Sequence, residues 1–272
     1  MKTKMGYKVW QVIYPVGVYY VVSGVIYFVL EIVIGNANDT YMLRQMFCAA
    51  ATIPFILSFY QQDKQIEDTV YGRRIFAWNR QQMGNILISL VAAAAFGIAI
   101  NNIIAMTPLI EVSSGFKQAN QAFFGGQLRY ELLGSCLIVP IAEELLFRGV
   151  VYKRLRLLCG KNPGIVLSAL LFGIVHANLV QFFYAGVLGL LLAFLMEKTG
   201  YLYTAILGHI AANTIAVLRQ DTGGLDFSYE PDAAGIGFTL AMLLLGVAAV
   251  LYLEKMEKSG DTMQTQDNKR DI

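Results

Sequence analysis

The chain is predicted to be an all-α, polytopic transmembrane bundle of about eight spans. Three observations carry that expectation. The residues AVILMFWYC make up 56% of the 272 residues, where a soluble domain reaches about 45–50% even with glycine counted. Only 15% of residues are charged, and the mean hydropathy is +0.53. Apolar runs of the length a helix needs to cross a bilayer recur along the whole chain.

The spans are expected at 11–34, 41–60, 84–107, 131–153, 162–178, 180–196, 201–218 and 234–253. The first follows a basic start and runs on to Ile34 with no small-x-small site. It therefore reads as a retained span rather than a cleaved signal. Only a break near Asn178 separates the fifth span from the sixth, so the two read as a hairpin. The stretch 109–130 is longer than a turn and reads as either an amphipathic surface helix or a gate. From Glu254 to Ile272 the chain is polar, lacks an apolar period and is expected to be a disordered cytoplasmic tail. The chain divides into N-terminal spans and loops (1–130), a polar-motif core (131–218), an outer loop with the last span (219–253) and the tail (254–272).

Lys and Arg set the orientation. With the N-terminus inside, sixteen fall on inner segments (among them Arg73, Arg74, Lys153, Arg154, Arg156, Lys161 and Lys198). Only Arg44, Lys117, Arg129 and Arg219 fall outside. That bias places both termini in the cytoplasm. Net charge is +2, too small to argue for nucleic acid. Cys48, Cys136 and Cys159 have no CxxC spacing and read as small buried hydrophobes. The terminal KRDI is not a prenylation signal.

Ionisable groups at membrane depth are costly and mark function by default. The fourth span carries Glu143, Glu144 and Arg148; the only two histidines, His176 and His209, lie in later spans, with Asn213 four residues after His209. Glu144 and Arg148 share a helical face and are expected to pair. Glu143 points about 100° away, towards another helix. At about 1.5 Å per residue from the inner ends, Glu143 lies roughly 15 Å deep, His176 roughly 20 Å and His209 roughly 12 Å. All three fall near the middle of a core of about 30 Å, so a common cavity is expected.

A carboxylate beside a neutral histidine activates water as a general base. A second histidine with an amide supplies donors for a developing oxyanion. Those parts suffice for peptide hydrolysis without a covalent intermediate. No cofactor is called for, although zinc held by Glu143, His176 and His209 is the closest chemical rival. A proton-coupled transporter using the same groups is the rival from another class, without a visible inverted repeat to support it.

EELLFRG (143–149), FGIVH (172–176) and HIAAN (209–213) resemble, in order and spacing, the EExxxR, FxxxH and HxxxN/B motifs of the CAAX protease and bacteriocin-processing family, also called the ABI family. The resemblance covers about 131–218 and implies a helical intramembrane endopeptidase that uses a glutamate-activated, metal-free mechanism. It implies Glu143 as the base with His176 assisting, His209 and Asn213 as oxyanion donors, and Glu144 and Arg148 as supports. It also implies a membrane-associated or lipidated peptide or protein substrate, taken from the lipid bilayer. The family includes peptide-maturation, immunity and non-catalytic scaffold members. The short chain looks most like the bacterial branch, in the plasma membrane.

Overall fold

The computed structural model describes the backbone of residues 5–71 and 80–270, and side chains over 5–69 and 80–255. Lys2, Lys4, Arg73 and Arg74, counted above on the inner side, lie outside the described residues. Among the described residues there is no strand. The helices are α1 (Met5–Ile34), α2 (Tyr41–Tyr71), α3 (Arg80–Ala105), the short α4 (Leu109–Val112) and α5 (Ser114–Phe123). After α6 (Leu128–Leu133), α7 (Val139–Glu144) and α8 (Lys153–Cys159) come α9 (Lys161–Ile174), α10 (Leu179–Thr199), α11 (Leu202–Thr222) and α12 (Ala233–Arg270).

Six of these, α1, α2, α3, α10, α11 and α12, are long and apolar enough to cross a membrane. The other two expected spans take different forms. The span at 131–153 belongs to one unbroken helical path, Leu128 to Cys159, in which π-helical segments Gly134–Ile138 and Leu145–Tyr152 flank α7. The span at 162–178 stops at Ile174, after only 14 residues. Among the described residues, six helices meet that criterion, two fewer than the eight expected. The last helix continues in backbone to Arg270, where an irregular tail was expected from Glu254. Its side chains beyond Lys255 lie outside the described residues.

Pro140 accounts for the first π segment. It has no N–H to return to the preceding turn, and its ring crowds the carbonyl four residues back. The chain widens by one residue there: Val139 N–H bonds the Gly134 carbonyl, five residues earlier. Such segments occur in α-helices mostly at functional sites. The second π segment is buried all round, every residue from Leu145 to Tyr152 included. A helix apolar on every side belongs at the centre of a bundle. Val12 of α1, Ile56 of α2, Phe172 of α9 and Ala185 of α10 close around it. Tyr152 continues into a second cluster with Leu188, Leu192, Leu195, Ala205 and Ala212.

The hairpin expected at Asn178 is present as α9 and α10, but its turn is longer than a break at one residue. Ala177 adopts φ 58°, a left-handed conformation that costs an L-residue about 1–2 kcal/mol. Asn178 is extended, and its side-chain oxygen accepts from Gln181 N–H at 2.9 Å, capping α10. Its amide donates to the His176 carbonyl at 3.3 Å. His176 therefore sits in the turn, two residues beyond the helix, and not on a helical face as its spacing from Phe172 suggested. The turn lies at mid-height: the Tyr20 hydroxyl, near the midpoint of the 30-residue α1, donates to the Val175 carbonyl at 3.3 Å.

Both ends of the bundle are tied by charge. At one end Arg154 holds Asp63 with two bonds of 2.8 and 3.0 Å, Lys153 holds Glu67, and Arg156 holds Glu197. At the other, Arg44 donates to the carbonyls of Gly35 and Ala37 that end α1. Arg219 donates to Asn102 of α3 and to Ser228 in the loop before α12. Arg44 and Arg219, counted on the outer side in the sequence, are both buried.

Close approach holds α9 against α10. A Cβ at Gly173 would lie 2.8 Å from the Phe182 backbone oxygen. Gly173→Ala is expected to destabilise the protein by about 1–3 kcal/mol through overpacking. Thermal unfolding in detergent checks this; an unchanged midpoint would contradict the packing.

Candidate active site

Three of the six sequence-selected side chains meet at one carboxylate, and Glu143 stands beside them. Glu144 is completely buried, as is Arg148. Glu144 Oε1 accepts from Arg148 Nη1 at 2.8 Å, the expected i,i+4 pair. The same oxygen lies 2.9 Å from Nδ1 of His209, which comes from α11. An ionised carboxylate only accepts, so His209 Nδ1 carries the proton and donates. That bond fixes the ring and turns Nε2 towards Glu143, whose Oε2 lies 3.9 Å away. The separation is too long for a direct hydrogen bond.

The two adjacent glutamates thus have different surroundings, as their 100° offset predicts. Glu144 is sealed in. Glu143 keeps 17% of its side chain exposed and interacts electrostatically with Tyr19 and Tyr20 of α1.

Phe172 joins the site from α9. The Arg148 guanidinium lies over its ring, 4.4 Å from the centroid. His176 and His209 both meet it edge-to-face, at 4.8 and 5.8 Å between centroids. Both contacts are favourable where water is absent. Close packing depends on Gly189 of α10, where a Cβ would lie 2.9 Å from Arg148 Nη2 and 3.2 Å from Phe172. Gly189 reads in the sequence only as part of a small-residue helix contact.

His176 is half-buried and is held by its own helix end: Nδ1 lies 2.7 Å from the Phe172 carbonyl. A carbonyl accepts, so Nδ1 donates and Nε2 is left with its lone pair outward. Among the described residues no hydrogen bond or ion pair joins His176 to Glu143, the pairing that the family resemblance implied. Tyr20 of α1 relates to both: its hydroxyl donates to the Val175 carbonyl, next to His176, and it interacts electrostatically with Glu143.

Asn213 is committed to the backbone. Its amide donates to the Ser135 carbonyl at 2.8 Å. That carbonyl is free because of the π segment and Pro140. Val139 N–H has gone to Gly134, and the next donor along the widened turn would be Pro140, which has none. Asn213 thus satisfies a buried acceptor and pins α11 to the motif helix. One amide proton remains for another partner. Among the described residues no three His, Cys, Asp or Glu side chains converge as metal ligands do.

Residues 125–215 match the family model described as type II CAAX prenyl endopeptidase, Rce1-like. That stretch contains all six site residues. The motif-bearing core is thus similar to that family over about a third of the chain. The chain is also similar to a Bacillus subtilis (strain 168) protein named "Putative membrane peptidase YdiL". Identity is 30% over 89 residues, which is 33% of this chain and 36% of that relative. The chain thus matches little more than a third of the relative's length. No solved structure matches it.

Within this core, the buried pair carries a clear energetic expectation. Arg148→Met leaves the Glu144 carboxylate without its cation in a sealed site and is expected to cost about 3–5 kcal/mol. Adding Glu144→Gln should return much of that loss. Thermal unfolding of the single and double variants measures both; equal midpoints would show that the pair is not coupled.

Proposed function

We propose that this integral membrane protein is an endopeptidase that cleaves a membrane-associated or lipidated peptide with a water activated by Glu143. The observation that carries the reading is the asymmetry of the two glutamates. Glu144 is consumed by Arg148 and His209, whereas Glu143 is partly open, with His209 Nε2 at 3.9 Å. A general base must reach its water, and only Glu143 can.

In this reading Glu143 takes a proton from water as the oxygen attacks the scissile carbonyl carbon. His176 Nε2 accepts a hydrogen bond from the same water and orients it. The carbonyl becomes an oxyanion, stabilised by the remaining Asn213 amide proton and by His209. His209 donates from Nε2 only when both ring nitrogens carry protons, because Nδ1–H is spent on Glu144. The proton held by Glu143 then passes to the leaving amine as the C–N bond breaks. Glu144 and Arg148 hold His209 in register and take no part in proton transfer. No step requires a metal or an organic cofactor.

The family match over the core supports this chemistry. The ladder of Lys153, Arg154, Arg156 and Lys161, gathered with their acids at one end of the bundle, supports cytoplasmic termini.

Glu143→Gln is expected to lower cleavage by roughly 10²–10⁴-fold, the usual contribution of a general base. The unfolding midpoint should stay near that of wild type, because Glu143 lies outside the buried pair. Comparing membrane peptides in cells carrying wild type and Glu143→Gln should reveal a species that accumulates uncut. Purified protein should cut that species in liposomes. If the two proteins turn it over equally, Glu143 is not the base.

A further inference from the structure

Hydrolysis inside a bilayer needs a route by which an extended peptide reaches the base. The exposure of the site residues narrows that route. Glu144, Arg148 and His209 are shut in by the bundle. Glu143, His176 and Asn213 keep open surface, and α1 reaches the turn that carries His176 through Tyr20.

Helix α1 is held unevenly. Its buried residues, Val12 and Pro15, both lie in the N-terminal half. Near that half, the Gln11 carbonyl accepts from Arg154. The far end is anchored through the carbonyl of Gly35 by Arg44. Between the two anchors, α1 meets the α9–α10 turn through one long hydrogen bond, from the Tyr20 hydroxyl to the Val175 carbonyl. Tyr20 is 44% exposed, and Ile174 on the opposite side of the seam is 61% exposed. The peptide group that Tyr20 touches is therefore the one next to His176.

We infer that Tyr20 is a substrate-binding residue at a lateral entrance between α1 and the α9–α10 turn. Resting, its phenol is parked on the Val175 carbonyl and closes the seam. When a membrane-embedded peptide enters in extended form, the phenol leaves Val175 and donates to a backbone carbonyl of that peptide. The exchange replaces one hydrogen bond with another of the same kind, so the phenol keeps a partner in both states. It also brings the peptide backbone alongside His176 and over Glu143. Asn213 is already half committed to Ser135, which leaves room for a second group to hold the substrate backbone.

This inference rests on the peptidase reading, and its test separates the two. The substrate is the peptide that accumulates in Glu143→Gln cells, and it is presented in liposomes to full-length protein. Tyr20→Phe should raise KM by roughly three- to tenfold, the loss of one hydrogen bond, with kcat within about twofold and an unchanged unfolding midpoint. A KM equal to that of wild type would overturn the role of the phenol.

The seam is tested separately with Tyr20→Cys/Val175→Cys in a Cys159→Ser background, which removes the exposed native thiol. Bridging the pair with a short, reducible bis-methanethiosulfonate should stop cleavage, and dithiothreitol should restore it. Undiminished cleavage by the bridged protein would overturn the entrance while leaving the peptidase intact. If Glu143→Gln cells accumulate no peptide, the peptidase reading falls and this inference falls with it.

Discussion

The structure of the core depends on a single carboxylate oxygen. Oε1 of Glu144 receives both the Arg148 guanidinium and the His209 imidazole, and all three side chains are removed from solvent. A charge so placed is tolerable only when paired and hydrogen-bonded. The pairing dictates much around it. Arg148 lies flat on Phe172, Phe172 requires Gly189 to be without a side chain, and α10 can then approach the motif helix. His209 has its donor fixed on one side, so its other nitrogen has one direction to face. Glu143, one residue away, is released from structural duty by the same arrangement.

Much of this was legible in the residues. Apolar runs located the long helices, and the i,i+4 spacing of Glu144 and Arg148 located their pair. Matched depth led to the expectation of a common cavity for Glu143, His176 and His209; in the structure His209 faces Glu143, whereas His176 bonds its own helix end. The position of His176 was not legible, because the end of α9 depends on Ala177 in a left-handed conformation. Alanine gives no warning of that conformation in the way glycine or asparagine does. The occupation of Asn213 had a signal that was not used. Pro140, inside an apolar helix, announces an orphan carbonyl about one turn earlier and therefore a partner somewhere to satisfy it. The link from His209 to Glu144 had no local signal, since it joins helices 65 residues apart.

The two π segments give the motif helix a particular character. They lie on either side of Val139–Glu144, so the six residues that end in the glutamate pair form a regular turn and a half between two wide ones. The wide turns change the angular offset of everything beyond them. A helix of uniform pitch carrying the same sequence would aim Arg148 and Ser135 at different neighbours. The motif spacing thus carries its meaning only on this irregular scaffold, which accounts for the weakness of each motif when taken alone.

The shortness of α9 has a further consequence for the bilayer. Fourteen residues rise about 21 Å, against a hydrocarbon core of about 30 Å. The outer face of that helix is nonetheless apolar, with Val166, Leu167, Leu170 and Ile174 exposed, so lipid tails cover it. A stretch shorter than the core is accommodated by local thinning of the membrane. The thinned collar would form where α9 ends, beside the turn that carries His176. On the peptidase reading, one water must be imported per turnover, and the mismatch of this one helix would bring that water towards the turn that carries His176.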